Sequence, residues 1–338
     1  MTASGKIKGI ITAILLAGIS ATAFSENSPE TTTKKWTFEI EPLFGFHVGE
    51  IREHVYYPHK YGKLLSELVW EKKPLLYCGS KFTAGYRNVF FLFSAKGFFD
   101  NGKSGLMTDS DWENHNQTRN GDFTTKTKYS EHDNILDGGY ELAADLSYRF
   151  RPCPLITLTP HAGVTFQHTQ FSGYNGTAWY AKKIPGTNNF YPYTDTEHRN
   201  VMTFTEKLIQ FEYNEFEVWT GLTVHFHPLR KLTLGLTTDV APYTFIYYFD
   251  KHLKNELAGW TKDLLHDYFA AIKGSVNARF YITDGFFTCF DFTAMTTKPI
   301  HGTQSRKNES GTYYRQINSD IGASNAYMEF TVSAGYKF

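Results

Sequence analysis

Apolar and polar residues alternate one for one along several stretches of this chain. Tyr140, Leu142, Ala144, Leu146, Tyr148 and Phe150 are interleaved with Glu141, Ala143, Asp145, Ser147 and Arg149. Successive side chains of an extended strand point to opposite faces, so such a segment offers one face to lipid and the other to water. The C-terminal stretch repeats the pattern, with Met328, Phe330, Val332, Ala334, Tyr336 and Phe338 set against Glu329, Thr331, Ser333 and Lys337. Similar runs cover Val89 to Phe99, Phe216 to Phe226, Leu232 to Val240 and Tyr268 to Phe280. A strand of about eleven residues at roughly 3.3 Å each, tilted about 40°, rises on the order of 28 Å, the height of a bilayer core.

A soluble β-sandwich also alternates. The final aromatic, Phe338, favours the barrel, because it resembles the terminal strand signature of bacterial outer-membrane barrels. Spacing between the runs supports the same reading. Short connections with turn chemistry fall at Arg87-Asn88, Arg151-Pro152-Cys153-Pro154, Pro228-Leu229-Arg230 and Thr283-Asp284-Gly285. Long polar stretches lie between them, at 51–61, 101–123, 173–200, 251–262 and 299–325. Four turns alternating with five loops predict an all-β, ten-stranded antiparallel transmembrane β-barrel. Its short turns face the periplasm and its long loops are extracellular.

Composition fits an exported barrel. Of 338 residues 17% are aromatic, and the 34 Lys and Arg balance the 34 Asp and Glu. A neutral chain gives no sign of a nucleic-acid partner. No segment beyond the N-terminal region approaches the ~18 consecutive apolar residues of a membrane helix. Cys78, Cys153 and Cys289 are too few, and odd in number, for disulfides to carry the fold. Lys6 and Lys8, the apolar run Gly9 to Ile19 and the small residues after it read as a signal peptide over 1–25. The barrel domain is then 26–338, in the cell outer membrane.

Two polar couples carry the candidate chemistry. "MTDSDW" places Asp109 and Asp111 two positions apart, and "FDKHL" places Asp250 and His252 at the same spacing. Each couple presents both groups to one face, and both fall at the loop end on opposite sides of the wall. A carboxylate beside an imidazole fixes its tautomer and stabilises the imidazolium, so Asp250 would orient His252 as a general base. With no serine in a nucleophile elbow and no reactive cysteine nearby, the nucleophile is water and no cofactor or metal is required. Asp109 and Asp111 would hold that water from the other side, sharing a proton, and the reaction class is amide hydrolysis. Blander readings are an Asx turn or a calcium loop in "DSDWENHNQTRNGD" and a solvated rim at "DKH". Strict alternation from Leu232 also aims Asp250 and His252 outward, unless a bulge or strong twist turns them in.

The residues resemble a known family, the omptins, outer-membrane endopeptidases built as ten-stranded barrels. "MTDSDW" is similar to the family's M-x-D-x-D-W, "DKH" to its D-E-H, "GEIREHVYY" with "GKLLSELVWE" to its first extracellular hairpin and "TVSAGYKF" to its last strand. The resemblance spans about 36–338. It implies cleavage of polypeptide substrates at the cell surface by a water that Asp250 and His252 activate opposite Asp109 and Asp111. It also implies a preference for basic residues, set partly by a glutamate that Glu53 matches and partly by an aspartate two positions before the dyad. Tyr248 stands at that second position, so strict dibasic cleavage is not expected, although an aromatic ring still stacks a guanidinium. Lys251 replaces an acidic residue, and its charge is expected to lower the pKa of His252. Val164, Phe166 and His168 replace the Tyr, Glu and Arg of the family's lipopolysaccharide patch, so that lipid requirement does not carry over. The lipid partner is then a different outer-membrane lipid, or none is needed.

Two other functions compete: a non-enzymatic adhesin or host-ligand-binding barrel, and a small pore. Ten strands leave a lumen that side chains can fill, which disfavours the pore. Among the remaining groups, His54, His115 and His132 read as hydrated rim residues, and His225 and His227 flank a turn at the wrong end. The tryptophans read as interface anchors or rim packing, with Trp112 placed to wall the cleft.

Overall fold

The computed structural model describes residues 36–57, 63–99, 102–114, 124–253, 260–307, 313–315 and 320–338. The predicted leader and His115 lie outside them. Ten antiparallel strands close into a ring, each pairing with the next in sequence. They are β1 (Trp36–Tyr56), β2 (Leu64–Tyr86), β3 (Val89–Phe99, continued as Gly105–Asp111), β4 (Lys128–Tyr148) and β5 (Ile156–Ala181). The ring continues through β6 (Arg199–Leu229), β7 (Leu232–His252), β8 (Trp260–Asp267, continued as Ala271–Tyr281), β9 (Phe286–Thr297, continued as Ile300–Lys307) and β10 (Asp320–Lys337). Strand β10 pairs back onto β1, with Phe46 opposite Phe330 and Glu53 opposite Ala323. Among the described residues the ring is closed through the level of the apolar belt, which is what a strand protein in lipid requires.

Alternation sorts the two faces as expected over the half of the barrel near the turns. Phe38, Phe44, Phe82, Phe91, Leu142, Leu146, Val164, Leu222, Leu236, Val276, Phe290, Phe330 and Val332 point outward and are exposed, while Glu39, Glu41, His47, Glu141, Glu217 and Glu329 are buried in the lumen. Trp36, Tyr86, Phe150, Tyr336 and Phe338 finish the apolar belt at the turn end. The remaining length of each strand projects beyond this belt toward the loops.

Here the strands differ from expectation. Pairing extends deep into every stretch read as a loop, so that β1 runs through 51–56 and β6 spans 31 residues. The lipid-facing apolar set stops where lipid stops, but the ladder hydrogen bonds do not need lipid, and the sequence pattern recorded only the former. The turn after β6 is Arg230-Lys231, slightly later than expected.

Above the belt, bulges change which residues face inward. On β7, Val240 pairs with Thr220 and Tyr243 with Val218, so Ala241 and Pro242 together oppose Trp219. Proline cannot donate to a ladder and is accommodated at such a bulge. Below it the inward residues are Asp239 and Ala241; above it they are Thr244, Ile246, Tyr248 and Asp250. A second bulge on β2 sets Lys73 and Pro74 against Val48 and moves the buried set from Leu75 and Tyr77 to Trp70 and Leu68.

Candidate active site

The bulge on β7 is what brings Asp250 and His252 into the barrel mouth, in the direction opposite to that of strict alternation. From Val240, at the edge of the belt, to Asp250 is ten residues of strand, on the order of 25 Å along the tilted axis, so the site stands clear of the membrane. Asp109 and Asp111 are not in a loop. They lie on the continuation of β3, held between β2 and β4, with Asp109 paired to Leu68 and Ser130 and Asp111 to Ser66 and Lys128. Their shared face is the lumen, since Met107 on the same face is fully buried against Trp70.

The dyad is formed. His252 Nε2 lies 2.7 Å from a carboxylate oxygen of Asp250, whose second oxygen is buried with no hydrogen-bond partner among the described residues. The Asp250 charge, together with those of Asp109 and Asp111, holds the imidazolium up to about 9. The net shift is upward in spite of the charge expected from Lys251. That lysine lies one residue out of phase with the dyad, on the outward face, whereas Asp250 is in contact with the ring.

Across the mouth, burial first and then the neighbouring Asp111 charge raise Asp109 to about 7, and His252 opposes the rise. Asp111 is raised as well, by burial, against the pull of Lys128. Two carboxylates this close in the partly buried mouth do not both ionise readily, so the couple holds a proton near neutrality. The four residues therefore sense one another across the lumen: the acids stabilise the imidazolium, and the imidazolium stabilises the ionised acid. Ser66 Oγ lies 3.5 Å from Asp109 and is the polar neighbour on β2.

Below the dyad is a buried chamber. Glu53 on β1 accepts a 2.7 Å hydrogen bond from Trp70 Nε1, and its carboxyl is held well above the usual range by burial and by the fields of Asp250, Asp263 and Asp109. The Trp70 ring stacks on Phe211 at 5.0 Å, and Phe211 meets Tyr248 at 5.5 Å. Of the two expectations for Trp70, interface anchor or packing, its buried ring fits the second: it is a wall of the site. Tyr248 pairs across the ladder with Asp263 on β8, a buried carboxyl raised to about 7 by desolvation. Sequence reasoning missed Asp263. The signal was faint: an acid in phase with Leu265 in "TKDLLHD", beyond the end of the stretch read as a loop.

Other expected groups fall outside this constellation. His54 contacts Glu67 at 3.3 Å, His132 contacts Ser130 and the Asn175 carbonyl, and His227 sits between Thr157 and Thr233 at the turn end. Trp112 lies under Lys126 Nζ at 5.4 Å, beside Tyr129 and Tyr193, and frames the rim. Val164, Phe166 and His168 follow one another at alternate positions on β5, where Tyr140 packs on Phe166 and His168. Two clusters have metal-ligand spacing, His47–Glu141–Glu329 and Glu41–Cys289–Asp291, but an ammonium already stands among each, Lys96 in the first and Lys81 in the second.

The omptin family model matches residues 34–338, nearly the whole chain. The chain belongs to the omptin family. Its barrel is similar to that of the outer membrane protease OmpT from Escherichia coli, with a TM-score of 0.76 at 18% identity over 92% of this chain and 100% of that one. The translocator domain of the autotransporter NalP from Neisseria meningitidis overlaps with a TM-score of 0.33 and 9% identity, over 99% of this chain and 98% of that one. No curated protein matches the chain in sequence. Family and fold together support an outer-membrane protease, a hydrolase.

Proposed function

We propose that this omptin is an endopeptidase whose loop end faces the outside of the cell, and that it cleaves polypeptides with a water held between Asp109 and Asp111 on one side and the Asp250–His252 dyad on the other. The observation that carries the reading is the mutual influence of the two couples. Strands four apart in the ring place His252 in the field of Asp109 and Asp111, with the 2.7 Å contact to Asp250 behind it. The neutral fraction of His252, small at pH 7 and growing as pH rises toward 9, takes a proton from the water as the oxygen attacks the peptide carbonyl. Asp250 stabilises the imidazolium that forms. The proton held on the Asp109–Asp111 couple hydrogen-bonds the developing oxyanion, and the imidazolium then returns its proton to the leaving amine. Neither a metal nor a dissociable cofactor enters the sequence of steps. Glu53 and Tyr248 line the chamber that receives a substrate side chain, and its surplus of negative charge favours a basic one.

The test is product sequencing after incubation of the refolded protein with a randomised peptide library, in vesicles free of lipopolysaccharide. The outward residues Val164, Phe166 and His168 offer that lipid no arginine or lysine, so activity is expected without it. His252→Ala is expected to reduce turnover about 10²–10⁴-fold with unchanged heat-modifiable gel mobility, since this is the range general acid–base catalysis supplies. Equal turnover in variant and parent removes the proposed base. A parent that binds a host protein but cuts no peptide leaves the adhesin reading in its place.

A further inference from the structure

At the turn end the apolar belt gives way to basic side chains that nothing in the barrel neutralises. Among the described residues, the exposed charged groups of the four turns are Arg87, Arg151, Arg230, Lys231 and Asp284. Near the loops Lys103 has Asp133 at 2.5 Å, Lys207 has Asp137 at 3.3 Å and Lys298 has Asp267 at 2.8 Å, whereas none of the four turn cations makes an ion pair among the described residues. Their contacts are with neutral groups. Arg87 lies over the Tyr86 ring at 5.5 Å, Arg151 donates to the Pro154 carbonyl at 2.6 Å, and Lys231 Nζ donates to the Ile282 carbonyl at 3.1 Å. Arg149, the next cation inward, stacks on Phe90 at 3.6 Å and lines the lumen instead.

Position identifies the partner. Tyr86, Phe150 and Leu229 are exposed apolar residues at the end of the belt, and Arg87, Arg151 and Arg230 each follow one of them directly. An apolar side chain in hydrocarbon with a long cationic one beside it is the arrangement of a lipid interface, where the stem lies along apolar surface and the head reaches the headgroups. The three basic turns join β2 to β3, β4 to β5 and β6 to β7, so successive turns stand two strands, about 10 Å, apart. A bilayer surrounds all three at once, whereas a folded partner would need a face curved to match six strands. We propose that the turns carrying Arg87, Arg151 and Arg230-Lys231 form a binding arc for anionic phospholipids, each turn holding a headgroup phosphate of the leaflet on the turn side. The arc requires the barrel alone and stands whether or not the mouth cleaves peptides.

Trp36 is a local reporter, since it is 57% exposed and its ring lies 4.9 Å from that of Tyr86, beside Arg87. Its fluorescence, taken as the difference from Trp36→Phe, is quenched by brominated lipid in vesicles of phosphatidylcholine mixed with phosphatidylglycerol. Brominated phosphatidylglycerol is expected to occupy this position about fivefold more strongly than brominated phosphatidylcholine, the factor one cation near the surface supplies, and the preference is expected to fade at high salt. Arg87→Gln is expected to abolish it, while Lys103→Gln with Lys298→Gln leaves it intact. Leu229→Trp places a second reporter beside Arg230, and Arg230→Gln with Lys231→Gln is expected to remove the preference there and not at Trp36. Equal quenching by the two lipids at either reporter overturns the arc, as does a preference that survives loss of the adjacent cation. A preference removed by sodium phosphate but not by sodium chloride of the same ionic strength also overturns it, because the turns then take free phosphate. Should Arg87→Gln fail to insert, the salt series on the parent decides: a preference unchanged at high salt is not electrostatic, and the proposal fails.

Discussion

One lumen holds two electrostatic regimes. At the level of the membrane, Lys96, Arg279 and Lys273 are matched by carboxylates. Lys96 Nζ lies 2.8 Å from Glu141 and 2.9 Å from Glu329, which His47 also meets at 2.7 Å; Arg279 bridges Glu39 at 2.9 Å and Glu41 at 3.2 Å; Lys273 reaches Asp239 at 3.4 Å. Above the membrane, Glu53, Asp109, Asp111, Asp250 and Asp263 make no ion pair with lysine or arginine among the described residues, and His252, on Asp250, is the basic side chain in contact with the set. These paired groups form a plug whose charges are solvated by one another, with Glu217 an acid among them that makes no ion pair among the described residues. The upper set is a surplus of negative charge held in place by strand pairing, and it is completed by what enters from outside. The difference separates groups that hold the barrel together from groups that work.

The sharpest break in this comparison is to rotate one strand. Pro242→Val restores a ladder donor at unchanged chain length, so pairing runs regularly past Trp219, and alternation from Ala241 then turns Tyr247, Phe249 and Lys251 into the lumen while Asp250 and His252 face out. Turnover is expected to fall at least about 10⁴-fold, the upper range for losing a general base, with the barrel still showing heat-modifiable mobility. A Pro242→Val variant that still cuts peptides means that the bulge does not aim the dyad.

The lower regime is probed by Lys96→Met, which strands Glu141 and Glu329 in the lumen. Breaking a buried pair by removing one partner costs about 3–5 kcal/mol, so the urea midpoint in vesicles should drop markedly. Turnover per folded molecule should not change. A variant with parental stability and reduced turnover would invert the division of labour between the two levels.

The regimes also differ in how legible they were. The belt strands could be read because lipid selects every second residue, as Tyr140 to Phe150 and Met328 to Phe338 show. The two couples could be read because their spacing is short and their chemistry specific. The orientation of the dyad could not be read from alternation, because one added residue at Ala241-Pro242 reverses every face above it; a proline inside a strand was the available signal. Strand ends above the membrane were read as loops because the outward residues there meet water and carry no apolar mark. Asp263 was invisible for a different reason. A solitary acid acquires meaning only from its neighbour across the ladder, Tyr248, and that register is a property of the fold.

The smallest effect follows from the price of keeping acids unpaired. Asp109 is raised to about 7, so its neutral form is the one the fold favours, and an unfolded carboxyl titrates near 3.9. A group raised in this way adds stability below the unfolded value and loses it as pH rises through the folded one, that is, between about 4 and 7. His252, raised to about 9, loses its contribution between about 6.5 and 9, so both groups make the upper barrel weaker toward alkaline pH. Asp109→Asn removes the first contribution and, by removing a charge that supports the imidazolium, reduces the second. At pH 8 it is expected to stabilise the barrel by about 1–3 kcal/mol while lowering turnover, the direction expected where a working site is held at a cost to the fold. Urea midpoints of parent and variant at pH 5 and pH 8 measure this. The gap between the two proteins must widen at pH 8. An equal gap at both values would mean that Asp109 ionises as freely in the barrel as in water, and the upper lumen would then not be the strained half of the molecule.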